Sequence, residues 1–336
     1  MRIVALEEHF NVPSLVRRID PDAIARFGFP PGFGGPLADK LSDLGGLRLS
    51  EMDEAGITVH VLSASGPGAY LLAAAEGVAF ARDINDVLAK AISSHPDRFA
   101  GFAHLPMNSP QAAADELERS VRDLGFCGAL INGVTEGRFL DDPRFEAILA
   151  RAEALDVPIY LHPGLPPRAV YEAYYDGLPG MTGFRLSTSA WGWHSETAIH
   201  VMRLVLSGAL DRHPKLKLII GHMGEGLAAM MVRLDKNLTP EAPHLKRSVK
   251  DTILDQVWVT TSGLFTLPPL ETLLAVFGPD RVMFSIDYPY STNRTGRDFL
   301  ATLKMPAGDM EKFAHGNADR LLKLGNGGAK SRVLEN

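Results

Sequence analysis

The stretch ALEEHF, residues 5–10, places two glutamates and a histidine at the end of an otherwise apolar run, RIVALEEHF. Side chains alternate faces along a strand, so Glu7 and His9 share one side and Glu8 takes the other. A carboxylate and an imidazole two residues apart on one face can grip a divalent ion. Taken alone, the same six residues also fit a strand end reaching solvent. Other apolar runs end in polar residues too: Ser63 and Ser65, His104, Asn132, His162, His222, Thr261 and Ser262, and Asp287. Four histidines and two carboxylates at corresponding places are more than chance supplies. The set reads as a metal site.

The correspondence rests on eight short apolar runs bounded by turn residues, at 2–10, 57–65, 99–106, 127–134, 157–164, 216–224, 257–263 and 282–289. Segments with helical periodicity separate them, among them 71–94, 111–124, a helix capped by Asp142, one capped at Ser195, and one opening at Glu225. Strand and helix alternating eight times predicts a (β/α)8 TIM-like barrel, whose strand ends converge on one mouth. The reading is a single barrel domain over 1–324 followed by a flexible tail, 325–336. Two long mouth loops, 21–46 and 163–193, interrupt the alternation. The first is rich in glycine and proline, and the second carries Tyr171, Tyr174, Tyr175, Phe184, Trp191 and Trp193. Such aromatics fit either a pocket for a flat organic substrate or a subunit interface.

Composition narrows the partners. The chain has 336 residues, 46% hydrophobic and 22% charged, with a net charge of −6. Without a basic cluster, neither nucleic acid nor an anionic membrane surface is an expected partner. No apolar run approaches the roughly 20 residues of a membrane span. The single cysteine, Cys127, excludes an intramolecular disulfide, and a cytoplasmic location is expected.

Taken in order, the segments ALEEHF, RLSEMDEAGITVHVLS, PDRFAGFAHLP, PIYLHPG, ETAIHVMRLVLSGALDRHPKLKLIIGHMGEGL, TTSG, FSIDYPY and HGNADRLLKL cover nearly the whole chain. They resemble the decarboxylase branch of the amidohydrolase superfamily, which includes γ-resorcylate, 2,3-dihydroxybenzoate, 5-carboxyvanillate and aminocarboxymuconate-semialdehyde decarboxylases. The resemblance implies an amidohydrolase-type barrel and one divalent ion, Zn2+ or Mn2+, held by Glu7, His9, His162 and Asp287. CGALINGV lacks the bridging lysine of two-metal relatives, and no organic cofactor is implied. By the same resemblance, His222 and Glu225 form a pair beside the reacting atoms. The resemblance further implies nonoxidative decarboxylation of a 2-hydroxybenzoate-like acid, with Asp287 as proton donor and His222 helping it load.

Arginines at the places of Arg48 and Arg233 bind anionic groups of the substrate in such enzymes, the second from a neighbouring subunit, so a homodimer or homotetramer is expected. The alternative activity is hydrolysis of a small lactone or amide, since the same ligands serve both chemistries. Three residues depart from the family pattern and bear on the substrate: His194 in WGWH, Leu264 in TTSGL and Ser291 after FSIDYPY.

Overall fold

The computed structural model describes residues 1–30, 32 and 35–325. Apart from Gly325, the expected tail lies outside the described residues. Among the described residues, nine strand segments run in chain order: β1 (Val4–Phe10), β2 (Val59–Ala64), β3 (Phe99–Gly101), β4 (Ala103–His104), β5 (Ala129–Asn132), β6 (Ile159–His162), β7 (Leu218–Ile220), β8 (Val257–Thr260) and β9 (Val282–Met283). Each pairs in parallel with its chain neighbour, in the orders β1-β2-β3 and β4 through β9.

The expected eight strands become nine because the third is interrupted at Phe102. There the Phe102 amide bonds Leu62 O at 2.9 Å, while the next amide, Ala103 N, turns to Gly128 O at 2.8 Å. The interruption passes the strand from one neighbour to the other without opening the ring. At the far side β9 meets β1 through the parallel bridge Leu6–Ser285. Backbone bonds Leu6 N to Phe284 O, 3.3 Å, and His9 N to Tyr288 O, 2.7 Å, extend that seam. The sheet therefore closes on itself as an α/β barrel.

Burial follows the two faces. Val4, Leu6, Val61, Phe102, Leu130 and Ile219 form an inner cluster. Their sequence neighbours Ala5, Leu62, Ala103, Ala129 and Ile220 pack outward against helix residues such as Phe80 and Leu117. This is the period-two pattern of strands buried on both sides. Among the described residues, no helix is long and apolar enough to cross a membrane.

Strand β1 breaks its own alternation. Ala5 pairs with His60 but Glu8 with Leu62, so β1 carries one residue more than its partner between those points. Glu7 sits at the bulge with φ 63°. Inward-facing Val4 and Leu6 would, by strict alternation, put Glu8 inside. The bulge shifts the parity and turns Glu7 and His9 inward instead, as bulges beside active sites do. Glu8 goes to the seam, where its two oxygens accept the Ile286 and Tyr288 amides at 2.8 and 2.9 Å. A carboxylate thus supplies bonds that regular pairing between β1 and the chain after β9 would have made.

Two helix starts beside the site differ from expectation. The helix expected from Ser195 begins at Gly192 and runs Gly192–Leu206, which puts His194 in its first turn. The helix expected to open at Glu225 is Leu227–Leu238. Glu225 instead ends a turn over His222–Gly224 in left-handed backbone, φ 54°. Both mouth loops contain short helices, Pro21–Phe27 and Ala38–Ser42 in the first, Arg168–Tyr174 and Thr182–Ser187 in the second.

Candidate metal centre and active site

Glu7, His9 and His162 each present one donor atom within 4.8 Å of the others. Glu7 comes from the bulge of β1, His9 from two residues on, and His162 from the last position of β6. Glu7 Oε2 accepts from the Tyr160 and Ser262 hydroxyls. Its other oxygen, Oε1, lies 3.2 Å from His162 Nε2. His162 Nδ1 donates to Pro163 O at 2.8 Å, which leaves the Nε2 lone pair facing Glu7 and the cavity. Asp287 Oδ1 approaches His9 Nε2 to 3.2 Å. Glu7 Oε1 and His9 Nε2 are both buried and lack a hydrogen bond of proper geometry. Two orphaned donors beside a freed imidazole nitrogen and a carboxylate fit a divalent cation, which would satisfy all four.

Charge agrees with geometry. Burial opposes ionisation of Glu7, yet His222, His162 and His9 hold its carboxyl well below the usual range. Burial pushes Asp287 upward, with the neighbouring Glu7 charge in the same direction and His9 opposing. Packing leaves no slack around Glu7: a β-carbon placed on Gly221 would lie 2.6 Å from both Glu7 Oε2 and Ser262 Oγ. Among the described residues, six of the nine non-glycine positions with positive φ are Glu7, His222, Met223, Glu225, Ser262 and Asp287. Such backbone persists where the surroundings over-determine it, here at the strand ends that carry the donors.

A second cluster adjoins the first. His222 Nδ1 lies 2.8 Å from Glu225 Oε1, and its Nε2 is 3.7 Å from Glu7 Oε1. Burial would lower the His222 pKa, but the charges of Glu225 and Glu7 raise it to about 10. Glu225 Oε2 is engaged by His194 Nδ1 at 2.6 Å, a partner that sequence reading left unassigned. Burial disfavours the Glu225 anion, and the imidazoles of His222 and His194 more than offset this, holding its carboxyl below the usual range.

Above these groups lies a cavity of about 350 Å³ with His9, His162, His222 and Asp287 in its lining. Phe27, Phe29, Tyr70, Trp193 and Tyr290 supply its aromatic walls. Of the aromatics expected from the loop 163–193, only Trp193 lines this cavity; Tyr171 and Phe184 line a neighbouring one. Tyr174 and Trp191 are 74% and 61% exposed. Phe27 and Phe29 lie in the glycine- and proline-rich loop, and Tyr70 and Tyr290 follow strand ends. Sequence reading did not single these four out, nor Tyr160, although period-two spacing from His162 is the signal that would have found Tyr160.

Arg48 is placed differently from expectation. It is fully buried and lies outside the cavity lining. Nε donates to Asp43 O at 2.9 Å, and Nη2 donates to His9 O at 2.6 Å and Lys40 O at 3.2 Å. The guanidinium stacks over the Tyr288 ring at 4.6 Å. These bonds tie it to backbone carbonyls, one of them that of His9, behind the cavity wall. Arg233 is exposed on Leu227–Leu238 and also lies outside its own chain's cavity lining. His104 turns from the mouth, its Nε2 accepting the Ala69 amide at 3.0 Å, and burial lowers its pKa to about 4. Neither Leu264 nor Ser291 lines the cavity.

A model of the amidohydrolase family matches residues 33–324. The chain is 38% identical to a gamma-resorcylate decarboxylase of Rhodococcus jostii over 96% of this chain and 98% of that one. Among solved structures, it is similar to a 2,6-dihydroxybenzoate decarboxylase complexed with 2,6-dihydroxybenzoate, with TM-score 0.86 and 37% identity, covering 96% of this chain and 100% of that one. It is likewise similar to a dihydroxybenzoic acid decarboxylase from a Polaromonas species with bound manganese and the inhibitor 2-nitroresorcinol, with TM-score 0.86 and 35% identity, covering 96% of this chain and 97% of that one.

Proposed function

The chain belongs to the amidohydrolase family, and from that premise we propose that it is a metal-dependent, nonoxidative decarboxylase of a hydroxylated aromatic carboxylic acid. The observation that carries the reading is the floor of the aromatic-walled cavity, where Asp287 and His222 stand beside the donors Glu7, His9 and His162. Glu7, His9, His162 and Asp287 would hold one divalent ion, manganese or zinc. Manganese in a related structure supports the first, and the donor set suits both. When bound, the ion supplies Lewis-acid charge stabilisation and a chelation point for a carboxylate and its neighbouring hydroxyl.

The chain's own residues do the rest. The aromatic walls hold the ring flat and exclude water. Asp287, pushed upward by burial, carries the proton that goes to the ring carbon bearing the carboxylate. The carbon–carbon bond then breaks, carbon dioxide departs, and its electron pair restores aromaticity. His222, its Nδ1 fixed by Glu225, keeps Nε2 toward the cavity to return a proton to Asp287. No organic cofactor enters this scheme. Release of carbon dioxide from 2,6-dihydroxybenzoate by the manganese- or zinc-loaded protein tests it. Ring opening of a lactone, with no carbon dioxide from any hydroxybenzoate, would replace the decarboxylase by the hydrolase.

The anion-binding arginine in this scheme is Arg233, contributed by a second copy in a homodimer or homotetramer. Its support is placement: it is exposed two turns along a helix that leaves the mouth, flanked by Met230 and Val232, 46% and 76% exposed. Guanidinium suits bidentate contact with a carboxylate. Arg233→Ala is expected to raise KM about tenfold or more, consistent with a charge-assisted hydrogen bond worth about 1.5–3 kcal/mol. Coexpressed with Asp287→Asn chains, it forms mixed dimers in which one site has both residues intact. Recovered activity in purified mixed dimers is the expected result; none there would mean that Arg233 does not act across the interface.

A further inference from the structure

We propose that His194 is a positioning residue for the reaction: it holds the second oxygen of Glu225 so that the first fixes the His222 imidazole toward the cavity. The inference rests on the decarboxylase reading for its kinetic consequence and on geometry alone for its structural one. Glu225 is fully buried and has two oxygens to place. Oε1 lies 2.8 Å from His222 Nδ1, and Oε2 lies 2.6 Å from His194 Nδ1. His194 is anchored on its other side, where Nε2 donates to Ser189 O at 3.0 Å. Both of its ring nitrogens therefore face acceptors, and the ring cannot turn without losing both bonds.

The imidazole also packs edge-on against His222, with ring centroids 4.9 Å apart. Without His194, Glu225 would keep a single partner and leave one oxygen of a buried carboxylate unsatisfied, a costly arrangement relieved by rotation of the carboxylate. Rotation would carry Oε1 away from His222 Nδ1 and release the ring. Because His194 does not line the cavity, its loss should spare substrate binding and the four metal donors. Hydrogen-bonding partners that orient a functional imidazole commonly carry a roughly 10- to 100-fold effect.

The test compares His194→Ala with His194→Asn, whose amide N–H can still reach Glu225. Metal content, binding of 2,6-dihydroxybenzoate read by tryptophan fluorescence, kcat and KM would be measured on the metal-loaded chains, and crystal structures of both variants determined. In His194→Ala, kcat should fall roughly 10- to 100-fold with KM, metal content and binding near wild type. Its crystal structure should show the His222–Glu225 contact lengthened or divided between two ring orientations. His194→Asn should recover most of kcat and the wild-type ring. An unmoved His222 in His194→Ala, or equal kinetic loss in both variants, overturns the proposal. A wild-type chain that releases no carbon dioxide defeats the decarboxylase reading instead, and the crystallographic comparison then decides the role of His194 by itself.

Discussion

Asp287→Asn is expected to abolish most turnover, lowering kcat on the order of 10³-fold while leaving KM within a few-fold and the ion in place. Positioned acids and bases typically contribute about 10²- to 10⁴-fold. Asparagine keeps the shape and one oxygen for the ion, but its amide does not give up a proton to a ring carbon near neutral pH. Asp287 has the attributes of a proton carrier: its Oδ1 is 3.2 Å from His9, it faces the cavity, and burial raises its pKa. A metal-bound carboxylate is held in its ionised form by the cation, and burial opposes that effect. The check is steady-state release of carbon dioxide beside elemental analysis. Near-wild-type kcat in a metal-replete variant would remove Asp287 from the proton-donating role.

His162→Ala and Glu7→Gln are expected to lose the ion altogether. Wild-type protein should carry one per chain, whereas both variants should emerge from dialysis essentially metal-free and inactive. Both donors are pre-aimed by hydrogen-bonding partners. Pro163 O fixes the His162 ring, and Tyr160 and Ser262 hold one oxygen of Glu7 so that the other is free. Chelation of the wild type should give the same inactivity, reversed by added Mn2+ or Zn2+. It should also cost stability: an ion present at 1,000 times its Kd stabilises the native state by about 4 kcal/mol. Thermal melts with and without chelator would read this directly. Two ions per chain, or a metal-replete His162→Ala, would overturn the four-donor site.

Much of this molecule was legible in its chain. Eight apolar runs with intervening helical periods identify a closed parallel barrel, because strands buried on both faces need continuous apolar sequence and turn residues at both ends. A barrel gathers its strand ends at one mouth, so polar residues at those ends gather too. His162, His222 and Asp287 come together from strands 60 or more residues apart in sequence for that reason alone. His104 shows the limit, since a strand-end histidine can as well accept a backbone amide and turn away.

What tertiary structure alone decided begins with parity. Alternation places Glu7 and His9 on one face, but which face is inward depends on the bulge that follows Leu6, and a bulge is set by the partner strand's register. Without it Glu8 would occupy the site, and the barrel seam would lack its carboxylate. The same holds for arginine. The family resemblance puts both Arg48 and Arg233 at the substrate, the second from a neighbouring subunit. Packing buries one against backbone carbonyls behind His9 and leaves the other exposed on a helix surface. His194 is the third case, because a helix beginning about a turn earlier than its sequence signals places this side chain against Glu225. Local pattern determines which residues are available to a site. Distances between strands and loops that meet only in the folded barrel determine which of them enter it.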